Sequence, residues 1–227
     1  LVNTAVEVGF DEAAARVARS REVMIKFANS EVSVSQNWDN LGVALYLVKD
    51  KRILTLTLQP SRMDRIGEII KNSIGMVSSL RENPLYAPLP ESSHVSMLEG
   101  LVDTRILDLM NDPSEITEEL LGEVEDEGVD RIAGALTLRY GEKGLVTSRG
   151  VELKEAATGV EAYIRAFIGD ASGQWAMGSR RLDKRKVVEV ARKAAEWALK
   201  AKGEGTIVLF DSLNTLLICF TSCSENG

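Results

Sequence analysis

One histidine, His94, and two cysteines, Cys219 and Cys223, are all the strongly metal-ligating side chains that the 227 residues hold. A zinc site draws its ligands mostly from His and Cys, so one built here would need carboxylates gathered from elsewhere. Pairing of Ser or Cys with a histidine base has the same single candidate. Both cysteines lie in the last nine residues, without a second pair or a nearby histidine. They make no disulfide framework, which fits a reducing, cytoplasmic setting. No apolar run approaches the roughly 20 residues that span a bilayer, and no basic-then-apolar leader is present, so neither a membrane nor a secretory route is expected. A basic face is missing too. The net charge is −7, and the cations are spread out apart from Arg180, Arg181, Lys184, Arg185 and Lys186, so no nucleic-acid partner is expected.

What the chain does have is a unit that occurs twice. The first copy runs GVALYLVKD, KRILTLTLQPS and MDRIGEIIKNSIGMV from Gly42 to Val77, and the second runs from Gly159 to Ala201. In both, a strand opening with Gly-Val is reversed by a polar turn, and a second strand ends at a helix start. The turns are Lys49 to Lys51 in one copy and Gly169 to Gly173 in the other. Upstream lie Gly9-Phe10-Asp11 and Gly128-Val129-Asp130. Self-similarity at one period constrains a whole fold, and the frame predicted here is helix, Gly-x-Asp, four strands, helix, in duplicate. The fold class is therefore α+β, with mostly antiparallel sheets flanked by helices. The expected divisions are 1–80 and 114–203 for the two repeats, 81–113 for a connector holding Pro84, Pro88 and Pro90, and 204–227 for the stub of a further domain.

Leu1 to Val8 reads as the last turns of a helix. The alanines of 11–19 favour helix, but the repeat sets this stretch against AGALTLRY, whose alternation is that of a strand, and the repeat is preferred. Val23, Ile25 and Phe27 share one strand face and Val32 and Val34 the face of its partner, with Asn29-Ser30 as the turn. Ser61 is the predicted N-cap of a helix whose buried stripe is Ile66, Ile69, Ile70, Ile74 and Val77. Residues 102–110 form a short helix or an edge segment. Residues 114–127 form an acidic helix, read as a solvated face rather than a cation site. The last helix starts at Asp183, buries Val187, Val188, Ala191, Ala194, Ala195 and Ala198, carries Glu189–Lys193 and Glu196–Lys200 pairs, and ends at Gly203. Thr206 to Phe210 begins a new strand.

No stretch carries a catalytic constellation. Residues 169–173 lack the Gly-Lys-Ser/Thr ending and following helix of a phosphate loop and read as a hairpin turn. The candidate anion or peptide contacts are Arg180, Arg181 and Lys184, at a helix start whose amides could assist; the plainer reading is a solvated amphipathic helix. Trp38, Trp175 and Trp197 are read as packing.

The run from Asn29-Ser30-Glu31 through the Gly42-Val43 strand, the Pro60-Ser61 helix start and LRENPLYAPLPE resembles the amino-terminal half of TldD/PmbA proteins. That family is also known as modulator of DNA gyrase and is treated as metallopeptidases. The segment SRRLDKRKVVEVARKAAEWALKAKGEGTIVLFDSL resembles the helix and strand joining its two domains. The resemblance implies a domain that shapes peptide access and the contacts of a homodimer or heterodimer with a TldD/PmbA-type subunit, with a peptide as substrate. It places zinc, on a His-Glu-x-x-x-His motif, in the carboxy-terminal half of TldD-type members. One histidine cannot supply that motif, so no cofactor is assigned to this chain, no family catalytic residue is carried over, and the chain is expected to be inactive alone. The alternative is a stand-alone binding module whose sheet edges recruit a partner strand.

Overall fold

The computed structural model describes residues 1–58, 64–92, 98–125, 128–202, 210–211 and 215–216. The elements are α1 (Val2–Val8), β1 (Glu12–Ala28), β2 (Glu31–Lys49), β3 (Arg52–Leu58), α2 (Ile66–Ser78), α3 (Thr104–Asn111), α4 (Ser114–Glu125), β4 (Arg131–Thr147), β5 (Glu152–Ile168), β6 (Ala171–Ser179), α5 (Lys184–Ala201), β7 (Phe210–Asp211) and β8 (Thr215–Leu216). One six-stranded sheet runs β3-β2-β1-β4-β5-β6, and β7 pairs with β8. The fold is α+β.

The duplication is visible residue by residue. Asp11 and Asp130 are 119 positions apart, the difference of their numbers, and the same offset carries β1 (Glu12–Ala28) onto β4 (Arg131–Thr147). It also carries the Lys49↔Arg52 and Val43↔Leu58 pairs of the first hairpin onto Ile168↔Ala171 and Ala162↔Met177 of the second. The Gly-x-Asp motif has one job in both copies. Its glycine takes positive φ, 110° at Gly9 and 69° at Gly128, where only glycine is free of a Cβ clash. Its aspartate closes the hairpin: Asp50 N–H donates to Asp11 Oδ2 (2.7 Å) and Gly169 N–H to Asp130 Oδ2 (2.6 Å). The matching backbone bonds are Asp11 N–H to Val48 O and Asp130 N–H to Phe167 O.

Two sequence expectations need correction. Among the described residues each copy has three strands where four were expected, because 12–28 runs unbroken as β1 and 31–49 as β2. Burial lapses in mid-strand, which reads in sequence as a break, but the backbone ladder does not need buried side chains to continue. Secondly, pairing Gly42-Val43 with Gly159-Val160 is two residues out of step. In the structure Val43 corresponds to Ala162, so a shared dipeptide misled where the register decides.

The chain divides into two compact units. The first comprises 1–20, 39–99 and 141–156, the second 21–38, 100–140 and 157–227. The first is built on Ala5, Phe10, Val43, Leu47, Ile70 and Val77. Here the predicted α2 stripe holds, with Ile70 and Val77 fully buried and Ile66, Ile69 and Ile74 packed at its rim. The second unit buries Val23, Ile25 and Phe27 against α3, α4 and α5. Val32 and Val34, which share one face of β2, are exposed. On α5 the apolar stripe includes Val190, and Val188 lies at its half-buried margin. Asp183 caps this helix by accepting from Lys186 N–H, and the Glu189–Lys193 and Glu196–Lys200 pairs form as expected. Ser61, His94, Gly203, Cys219, Cys223 and most of the 206–210 segment lie outside the described residues.

Thr117 Oγ1 on α4 is buried without a hydrogen-bond partner among the described residues. An unmet hydroxyl in a core costs free energy that an isosteric methyl does not. Thr117→Val is therefore expected to leave stability unchanged or raise it by up to about 1 kcal/mol, read as the midpoint of urea unfolding.

Candidate functional site

Two polar clusters stand out, one in each unit. In the first, Glu12 opens β1 with its carboxylate almost wholly buried. It accepts from Tyr86 Oη (2.6 Å), Leu89 N–H (3.2 Å) and Arg149 Nε (2.5 Å). The partners come from the Pro-rich connector and from the turn between β4 and β5. Asn83 begins the connector's local structure: its side chain accepts from Leu85 N–H and its carbonyl from Tyr86 N–H, a turn of the kind Asn-Pro favours. Arg149 also reaches Glu91 (3.6 Å), and Ser148 Oγ accepts from Ala13 N–H. A depression of about 550 Å³ is lined by Asp11, Glu12, Glu91, Ser92, Ser148 and Arg149.

Burial pushes the Glu12 carboxyl up, but the bonds from Tyr86, Arg149 and Leu89 outweigh it and hold it below the usual carboxylate range. The Tyr86 phenol, donating to Glu12 and partly buried, is pushed up to about 12. A carboxylate this firmly ionised is a poor general base at neutral pH, and a phenol this firmly protonated is a poor acid. The cluster is a clasp that fastens the connector. The expected result in a spectrophotometric tyrosine titration is one phenol ionising near pH 12, absent from Tyr86→Phe. If every phenol titrates near 10, the Tyr86–Glu12 bond is not made in solution. Because the folded pKa exceeds the unfolded value of 10.0, this contribution to stability is full below pH 10 and is lost as pH rises through 12.

In the second unit Asp103 caps α3 by accepting from Arg105 N–H, and it also accepts from Arg105 Nη2 (2.7 Å) and Leu182 N–H (2.9 Å). The Arg105 guanidinium, then the Leu182 amide, hold its carboxyl well below the usual range against burial. Thr158 Oγ1 accepts from Asp103 N–H and donates to Arg180 O. Residues 101–105 are thereby tied to the 180–182 turn before α5.

The three predicted contact residues do not converge. Lys184 is held by Glu115 (2.7 Å) and Glu119 (3.9 Å) of α4, so part of that acidic face has a partner within the chain. Lys184 borders a recess of about 430 Å³ with Glu119 and Arg185. Arg181 borders a different groove of about 590 Å³ with Arg105, Met177 and Lys186. Arg180 lines neither, and its carbonyl is spent on Thr158. Trp175 and Trp197 each lie beneath a lysine, Lys193 at 4.6 Å and Lys200 at 4.7 Å from the ring centres.

Neither cluster was found in the sequence. Asp103 ahead of a short apolar-periodic stretch is a legible N-cap signal. Glu12, Tyr86 and Arg149 carry none, being separated by 74 and 137 positions. Among the described residues no three His, Cys, Asp or Glu side chains gather as metal ligands, and no helix is long and apolar enough to cross a membrane.

Comparison with known proteins gives the chain its relatives. Residues 13–77 match the model of PmbA/TldA metallopeptidase domain 1, and residues 108–202 that of the PmbA/TldA metallopeptidase central domain. Among solved structures, TldE from Thermococcus kodakarensis is similar with a TM-score of 0.72 at 17% identity, over 87% of this chain and 46% of that one. A candidate modulator of DNA gyrase from Bacteroides thetaiotaomicron gives 0.76 at 16% identity, over 91% and 49%. One from Thermotoga maritima gives 0.73 at 17%, over 90% and 47%. The chain thus spans about half the length of these relatives. No curated protein matches the sequence. With two successive domain models covering most of its described length, the chain belongs to the TldD/PmbA family.

Proposed function

We propose that this chain is the amino-terminal scaffold of a TldD/PmbA-like metalloprotease component in the cytoplasm. In this reading it shapes the access of peptides and supplies subunit contacts, while a zinc-bearing carboxy-terminal half or a partner subunit performs hydrolysis. The observation that carries it is the succession of matches, domain 1 then central domain, in a chain half the length of its structural relatives. The residues agree. The best-built polar groups, Glu12 and Asp103, are fully engaged in fastening loops, and one histidine cannot form the metal motif.

Sedimentation velocity tests the assembly role. Mixed with a TldD-type subunit that carries His-Glu-x-x-x-His, the chain is expected to sediment as a dimer with that subunit or with itself. A chain that stays monomeric alone and in the mixture, at concentrations up to about 100 µM, far above the micromolar Kd of a modest interface, would remove the reading.

A further inference from the structure

β6 is an outer strand of the six-stranded sheet. Its nine residues, ASGQWAMGS, contain no charge and no proline, the devices that normally blunt an edge. The two-residue turn Gly169–Asp170 makes Ile168↔Ala171 the first pair of the hairpin. Pairs that exchange backbone bonds then alternate with pairs that do not. Gly173, Trp175 and Met177 accordingly bond to β5, while Gln174, Ala176 and Gly178 turn their N–H and C=O groups outward along the exposed part of the strand; Ser172, in the same phase, is buried. The bond from Asp130 N–H to Phe167 O supports this phase, because Phe167, opposite Ser172, must direct its carbonyl away from β6. β8 touches β6 but pairs with β7.

Beside this edge runs the 590 Å³ groove, walled by Ala176–Ser179, by Arg181 and by Lys186, Glu189 and Lys193 of α5. Those three positions fall at i, i+3 and i+7, on one helix face. Its cations are Arg105, Arg181, Lys186 and Lys193, and its anions Asp183 and Glu189. Glu189 is answered by Arg192 and Lys193, Asp183 caps α5, and Arg105 holds Asp103. Among the described residues, Arg181 and Lys186 have no carboxylate partner, and the Arg181 guanidinium meets only Gly100 O at 3.4 Å. In a chain of net charge −7 this is a local positive strip alongside backbone amides that no strand pairs with among the described residues.

We infer that the β6 edge and the α5 face above it form a docking site for an extended acidic peptide, which adds to the sheet as a further strand and sets its carboxylates against Arg181 and Lys186. The backbone bonds supply affinity without regard to sequence, and the two cations select for acidic residues at alternate positions. The inference rests on the peptide-handling reading only for its purpose, since docking is measured on this chain alone.

The probe is an acetylated, amidated octapeptide alternating Glu and Val, titrated calorimetrically into the full chain. Binding is expected to weaken about tenfold or more between roughly 50 and 300 mM salt, as for a partly exposed ion-pair contact. Arg181→Glu combined with Lys186→Glu should weaken it by a further tenfold or so. Ala176→Pro removes an outward amide that the sheet does not use, a place where an edge strand tolerates proline. It should abolish binding while the unfolding midpoint stays near that of the parent chain. Equal binding of a Lys-Val peptide, no binding of the Glu-Val peptide, or full binding by either variant would overturn the inference. Any of these results leaves the sedimentation test of the proposed function unaffected.

Discussion

Gly173→Val is expected to destabilise the chain by about 3 kcal/mol or more, at the upper end of what overpacking a core costs. A Cβ on Gly173 would fall inside the van der Waals shells of Ala194 O and Ala198 N and would lie 2.6 Å from the carbonyl carbon of Trp197. All three are backbone atoms of α5, so no rotamer change relieves the contact. The helix reaches this close because Ala191, Ala194, Ala195 and Ala198, all fully buried, form its inner face. Lifting α5 off β6 would open that packing along its whole length. Denaturant unfolding by circular dichroism measures the loss. Gly173→Ala should already show much of it, because the clash begins at Cβ. A Gly173→Ala chain as stable as the parent would mean that α5 does not sit on β6 as described.

The second large effect concerns the clasp. Glu12→Ala is expected to cost about 3 kcal/mol, since one buried carboxylate satisfies a phenol, an amide and a guanidinium, and its loss leaves a void with donors unmet. Glu12→Gln should cost less, because an amide oxygen of the same reach still accepts from Tyr86 or Leu89. The pH dependence separates the charge from the shape. With its folded pKa below the unfolded value, Glu12 contributes stability that is present above the unfolded pKa and is lost as pH falls through the folded one. The gap between the parent chain and Glu12→Gln should therefore narrow on acidification. Thermal melts at neutral pH and near the folded carboxylate range measure this. A gap that stays constant in acid would show that the ionised form of Glu12 gives the clasp no advantage.

Local signals in the sequence reached most of the elements and little of the site. Val23, Ile25 and Phe27 alternate because one face of β1 is buried there, and the alanine stripe of α5 recurs at helical spacing because it too has one buried side. Both are short-range consequences of long-range packing, so periodicity reports them. Ala13 to Ala15 went against helix propensity because the tertiary pairing of β1 overrides it, and only comparison with the second copy showed this. Exposure of Val32 and Val34 was illegible, since a strand's alternation does not say whether anything covers its apolar face. The Glu12–Tyr86–Arg149 clasp was beyond reach for a different reason. It joins three segments whose proximity is set by the topology of the sheet, and no pattern within any one of them points to the others. Gly173 looked like part of a turn, although it lies inside β6 and serves the approach of α5.

Peptide hydrolysis by the purified chain is the most direct test of the claim that it is a scaffold whose chemistry lies elsewhere. An unfolded peptide incubated with the chain and added zinc is predicted to be cleaved no faster than in buffer, and to be cleaved once a subunit bearing the His-Glu-x-x-x-His motif is supplied. Chelator-sensitive cleavage by the chain alone would contradict the account.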